Sequence, residues 1–170
     1  VEKLFEGKLY THAVNLSECV SGDSSFAHSL AFTKAAEKIS GVTVPAQVSI
    51  LRAIFLELER MYNHVNGMGG IAVDVGFSFP HAYASIIKEA ILQLNEKLSG
   101  SRYLKNVNVV GGVAQDVDKT KKQLLLDSLK IIRDDFKELV KILNSSVSFM
   151  DRADATGVLR RKTAEDLGVV

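Results

Sequence analysis

The sequence has little that would staple a fold together or break one. Its 170 residues include one cysteine and two prolines, and aromatic residues make up 7%. Cys19 cannot form an internal disulfide, so stability must come from burial, and a single free thiol fits a reducing compartment. No run approaches the ~18 consecutive apolar residues of a membrane span. The best run, Ile71 to Phe79, is short and interrupted by Asp74. An excess of one charge is missing too: 21 Lys and Arg stand against 20 Asp and Glu, a net charge of +1. The charges lie in small mixed clusters rather than one basic stripe, so the chain carries no footprint for nucleic acid. The opening VEKLFEGKLY has neither a methionine nor the apolar core of a signal peptide. The chain stops at Leu167-Gly168-Val169-Val170, just after a helix-like segment. Both ends read as cuts inside a longer protein, so residues 1–170 are expected to be one domain, a central piece of a larger subunit.

What remains is an ordinary globular composition, 46% hydrophobic and 24% charged. A body of this size buries about 70% of its unfolded surface, enough for a real core. Small and apolar residues at Phe26, Ala27, Leu30, Ala31, Ala35 and Ile39 recur at helical spacing, and Gly41 is a natural stop. Thr43 and Pro45 open a long helix whose stripe is Val48, Leu51, Phe55, Leu58, Tyr62 and Val65, widened by Ile50, Ile54 and Met61. The pattern changes at Gly67–Gly76, where small residues would let another backbone approach closely. A further helix is expected from Pro80 or His81 to Ser99, with Gly100 as its stop. Leu104–Val110, followed by Gly111-Gly112, predicts a short strand or hairpin. Leu125, Leu129, Ile132, Phe136, Leu139 and Leu143 form the clearest apolar seam, one that packs in a bundle. The predicted class is mainly α: a helical bundle with a small β hairpin insertion.

Several chemistries fail on residue types and spacing. Di-iron bundles need Glu three residues before an inward-facing His. The residues three before His12, His28, His64 and His81 are Leu9, Ser25, Met61 and Ser78. Gly22-Asp23-Ser24 suggests an esterase nucleophile, but the Asp-x-x-His pair that would activate it occurs nowhere in the chain. Gly111-Gly112 has no Walker lysine and no G-x-G-x-x-G spacing. Asp74 is the most informative single residue. In an apolar run an unpaired carboxylate is driven toward its neutral form, which suits it to passing protons. The plainer alternatives are a helix cap or a pairing with Arg52 or Arg60. His28, on the same face as Phe32, Ala35 and Ile39, reads as a hydrogen-bonded core residue rather than a ligand.

Three stretches, SECVSGDSSFAHSLAFTKAAEKISGVTVP, LRAIFLELERMYNHVNGMGGIAVDVG and GSRYLKNVNVVGGV, carry a resemblance. So do the opening VEKLFEGK and the closing DATGVLRRKTAEDLG. In this order they resemble the large-subunit family shared by nickel–iron hydrogenases and the quinone-site subunit of respiratory complex I. The energy-converting, formate hydrogenlyase-like branch is the most similar. In the hydrogenases of that family a Cys-x-x-Cys pair before the Phe-Ala-His stretch supplies half of the nickel–iron ligands; those positions are Ser21 and Ser24 here. A serine hydroxyl stays protonated and binds nickel poorly, whereas a thiolate is a soft donor. Cys19 is displaced by two residues and belongs to no such pair, and the family's second cysteine pair lies beyond Val170.

The resemblance therefore implies no metal ligand and no cofactor in this segment. In the complex I branch a quinone occupies the old metal site in the intact complex. Its headgroup-contacting tyrosine falls at Gly22, and the partner histidine lies upstream of Val1. Ser21, Gly22, Asp23 and Ser24 would line the vestigial metal or quinone site, with His28 behind it fixing the loop. Asp74 matches a family aspartate implicated in passing protons or strain toward the membrane arm. The implied whole is a hydrogenase-like, NADH:quinone oxidoreductase-like complex that couples electron transfer to proton movement. It would be cytoplasmic and peripheral to the membrane, held through an iron–sulfur small subunit and membrane-arm subunits. The alternatives are a component of a working nickel–iron hydrogenase or formate hydrogenlyase, and a non-catalytic assembly module.

Overall fold

The computed structural model describes residues 1–169; Val170, the last residue of the expected cut end, lies outside them. After a 3-10 turn at Glu2–Leu4 the chain forms α1 (Tyr10–Ser17), α2 (Ser25–Ser40), α3 (Ala46–Asp74) and α4 (Ser78–Ser99). Then come β1 (Asn108–Val109), β2 (Gly112–Val113), α5 (Lys119–Ser145), α6 (Val147–Ala153) and α7 (Arg161–Asp166). The two strands pair antiparallel, Asn108 opposite Val113. A helical bundle with one small hairpin is the architecture that the periodicity predicts.

The long α3 organises the rest. The short link Val75–Phe77 folds α4 back along it, and α5 packs on α4. On the other elements, α2 packs on α1 and α3, and the hairpin sits against α2 and α3. Phe26, Phe55, Tyr62, Ile87, Ile91, Leu98 and Leu139 fill the core and are almost inaccessible to solvent. Burial of each such side chain contributes about 1.5–3 kcal/mol. Gly41 and Gly100 stop α2 and α4 in the left-handed conformation, at φ of 68° and 80°.

The structure departs from the sequence pattern in four places. First, the change of pattern at Gly67–Gly76 is not a change of element, since α3 runs through it to Asp74. The close approach expected of its small residues is made at Gly69, where a Cβ would lie 2.9 Å from the Ala84 Cβ on α4. Second, α4 begins at Ser78, ahead of Pro80, which the first turn tolerates. Third, Ala35, Ile39 and Ile50 are exposed. The inward face of α2 is instead Phe26, Ser29, Leu30, Thr33 and Glu37, whose polar members are satisfied locally or across the interface. Fourth, Leu129 and Phe136 are only partly covered, since with Met61 they line an open groove of about 400 Å³ between α3 and α5.

Glu37 makes the strongest polar contact in the interior. Arg52 donates from Nη1 and Nη2 to its two carboxylate oxygens at 3.0 and 2.6 Å, with both side chains about 5% exposed (4% and 6%). The same guanidinium donates to the carbonyls of Val109 and Gly112, and Gly111 N donates to Glu37. One ion pair thus holds α2, α3 and the hairpin together. The Arg52 hydrogen bonds, opposed by burial and aided by the Gly111 amide, hold the Glu37 carboxyl below its ordinary 4.5.

A lowered carboxylate contributes stability that is present above its unfolded pKa and lost as pH falls through its folded one. Glu37→Gln is therefore expected to lose about 3–5 kcal/mol at pH 7, the consequence of leaving Arg52 buried without its counter-ion. Urea midpoints measured from pH 7 downward should show that gap intact to about 4.5 and closing below it. A gap that is the same at pH 3 and pH 7 contradicts this assignment.

Candidate functional site

Ser21 to Ser24 lead directly into α2, and Ser24 is its N-cap residue but provides no side-chain cap. The first amides of a helix need acceptors. Here they find one across the interface. Phe26 N and Ala27 N donate to the two oxygens of Glu59, at 2.7 and 2.9 Å, and Glu59 is 3% exposed. A buried carboxylate at the positive end of the helix dipole compensates part of its own desolvation.

Two more side chains from the same turn of α3 hold the loop. Tyr62 Oη donates to the Asp23 carbonyl at 2.6 Å, and Asn63 Nδ2 donates to the same oxygen at 2.8 Å. Residues 59, 62 and 63 share one helical face, spaced by three and four. Within the loop, Ser21 Oγ donates to Asp23 Oδ1 at 2.9 Å, and Ser25 Oγ reaches the carbonyls of Ser21 and Gly22. From the far side, Asn108 Nδ2 on β1 donates to Phe26 O and Ser29 Oγ.

Burial is the dominant influence on Glu59 and Tyr62. It pushes the Glu59 carboxyl above 4.5, and the two backbone amides and His28 only partly oppose it, while Asp23 adds to it. Burial, with Glu59 and Asp23 nearby, also drives the Tyr62 phenol well above its usual range. Tyr62 therefore stays a neutral donor.

The loop residues singled out in the sequence do come together: Ser21, Gly22, Asp23 and Ser24 form one turn, with Gly22 and Asp23 exposed and the two serines partly buried. His28 does not fix that loop. It is partly buried on the first turn of α2, and its side chain makes no hydrogen bond among the described residues. Glu59, Tyr62 and Asn63 do that work, and the only trace of it in the sequence is a set of polar residues at helical spacing beside the apolar stripe.

Asp74 requires the larger correction. It is the last residue of α3 and is exposed, as are Ile71, Val73 and Phe79 around it. The expected burial is therefore absent from this segment, since the apolar run closes one helix and opens the next instead of entering the core. Pairing with Arg52 or Arg60 is also ruled out: Arg52 is committed to Glu37, and Arg60 lies 3.3 Å from Glu57. Along α3, Asp74 lies about 18 Å beyond Tyr62 at 1.5 Å per residue, so loop and aspartate are separate places on one rod. The Asp74 end is tied down by Arg152 Nη1, which donates to Val75 O at 2.8 Å, and by Phe77 packing on Phe149.

Residues 74–170 match the family described as the respiratory-chain NADH dehydrogenase, 49 Kd subunit. The chain belongs to that family. Relatives of this 49 Kd-subunit member include hydrogenase-4 component G of Escherichia coli, 33% identical over 98% of this chain and 30% of that protein. NADH-quinone oxidoreductase subunit 4 of Thermus thermophilus is 32% identical over 99% of this chain and 41% of that protein. Among solved structures, a chain of the membrane-bound sulfane sulfur reductase, an archaeal respiratory membrane complex, superposes with a TM-score of 0.87. That match covers 95% of this chain and 43% of the other at 21% identity, so it establishes a shared fold. The chain spans less than half the length of these relatives. Each relative is by name a component or subunit of a larger assembly, and no helix among the described residues is long and apolar enough to cross a membrane.

The Asp23 carbonyl makes the loop's attachment testable. Tyr62→Phe is expected to lower stability by about 0.5–1.5 kcal/mol, since it removes one buried donor and little packing. Tyr83→Phe, which loses only a long 3.4 Å contact to Asp135, serves as the control and should stay within about 0.5 kcal/mol. Equal effects in urea unfolding would show that the Tyr62–Asp23 bond does not anchor the loop.

Proposed function

We propose that this chain is part of the large subunit of a membrane-associated redox complex, hydrogenase-like and NADH:quinone oxidoreductase-like, that couples electron transfer to proton movement without a nickel–iron centre. The observation that carries the reading is the Ser21–Ser24 turn. It is built and pinned as a site, yet it offers hydroxyls where the hydrogenases of the family place thiolates. Ser21 Oγ is already donating to Asp23, and Cys19 is exposed with Sγ 3.5 Å from the Asn15 carbonyl. Neutral hydroxyls and one displaced thiol do not fit a nickel–iron group. Nor does Gly22 fit the role of a tyrosine on a quinone headgroup, so a quinone in the intact complex would find its contacts on other residues.

In this reading the chain forms a helical core beside an iron–sulfur subunit, at the cytoplasmic face of the membrane, and reaches membrane-arm subunits through partners. Charge arriving near the Ser21–Ser24 turn acts on α3, the rod that carries the loop's anchors at one end and Asp74 at the other. Asp74, exposed and without a side-chain partner among the described residues, offers its carboxylate to a partner subunit as a proton relay. A working nickel–iron hydrogenase is the second reading, favoured only by the names of the relatives and opposed by the serines.

The test is the metal content of the full-length protein purified without oxygen together with its partner subunits. Iron without nickel is expected, all of it in clusters on the partners, and Asp74→Asn in the same complex is expected to lower coupled turnover at normal assembly. Nickel at one per chain would overturn the reading of the serines, and unchanged coupled turnover would remove Asp74 from the pathway.

A further inference from the structure

Of the titratable groups that the mechanism above leaves unused, Glu59 is buried and has a direct hold on the site. Its two oxygens each accept one amide from consecutive residues of α2, and those bonds fix where Ser21–Ser24 sit. The charged groups that face it are His28 from α2 and Asp23 from the loop, and on its own helix it neighbours Tyr62. Arg52 is on the same helix but is spent on Glu37.

We propose that Glu59 is the proton-holding group of the emptied site, and that taking up a proton releases the first turn of α2. This deepens the functional reading given above and rests on it for its meaning, though not for its test. The step is simple: a proton from solvent adds to one Glu59 oxygen, no other covalent bond changes, and the group returns to carboxylate when the proton leaves. A protonated oxygen is a donor where it had been an acceptor. It then confronts the amide N–H of Phe26 or Ala27, donor against donor, and one of the two bonds is lost. Negative charge arriving at the Ser21–Ser24 turn favours the protonated form, since Asp23 already acts in that direction. Electron arrival and loop position are thereby linked through one carboxyl group.

The sign of the pH effect separates this from ordinary acid unfolding. Burial raises the Glu59 carboxyl, so between 4.5 and its folded value the folded chain binds more protons than the unfolded one. The contribution of Glu59 to global stability rises as pH falls through that window, while this one turn loosens. Global unfolding would loosen every amide together.

The experiment is amide hydrogen exchange on the full-length protein, corrected for intrinsic rates, as pH falls from 8 toward 4.5. Protection at Phe26 and Ala27 is expected to drop about tenfold, the scale of one lost charge-assisted bond, while Ile87 and Leu139 stay protected. In Glu59→Gln, which cannot titrate, protection at both amides should be independent of pH. Constant protection in the wild-type protein, or the same pH response in the Gln variant, overturns the proposal. The wild-type titration decides the matter even if the variant does not fold. Because no turnover is measured, its failure is distinguishable from a failure of the metal and coupling test.

Discussion

The arrangement depends on one carboxylate placed against the start of a helix. α2 begins without a cap of its own, and the amides of Phe26 and Ala27 are satisfied by Glu59 from thirty-odd residues away. An orphaned buried amide is expensive, so this contact dictates where α2 can begin relative to α3. The Ser21–Ser24 turn follows from that placement, with Tyr62 and Asn63 closing on the Asp23 carbonyl from the same face. Core packing then agrees with the register: Phe26 lands on Phe55, ring centroids 5.8 Å apart.

The same device recurs. Glu18 of the α1 end accepts from Asn106 N, Glu37 from Gly111 N, and Glu59 from Phe26 N and Ala27 N. Each carries a backbone segment that has no regular structure to satisfy it, and each is buried. They differ in compensation. Glu37 has a guanidinium and is held below its ordinary value, whereas Glu18 and Glu59 rely on amides and are raised by burial. A fold with one cysteine and two prolines thus holds its loops with buried carboxylates.

α3 separates the serine turn from Asp74 without disconnecting them. Its middle holds the serine turn, and its end exposes Asp74 beside Ile71, Val73 and Phe79. Gly69 lets α3 and α4 approach until a single extra carbon would collide, so the intervening turns form a stiff connection. Displacement at one end of such a rod is carried to the other with little loss, because packed interiors do not compress.

The long helices, the hairpin and the glycine stops of α2 and α4 are legible in the sequence because they follow from local periodicity and backbone conformation. The family resemblance and the serine turn are legible as well, since they are strings of residues in order. What the sequence could not supply is which polar residue meets which. Nothing in the sequence singles out Glu59, and Asp74 reads there as a carboxylate buried in an apolar run. The tertiary structure buries the first and exposes the second. Burial is decided by the neighbour that covers a residue, not by the hydropathy of the residues beside it: α2 closes over Glu59, while in this segment nothing closes over the end of α3.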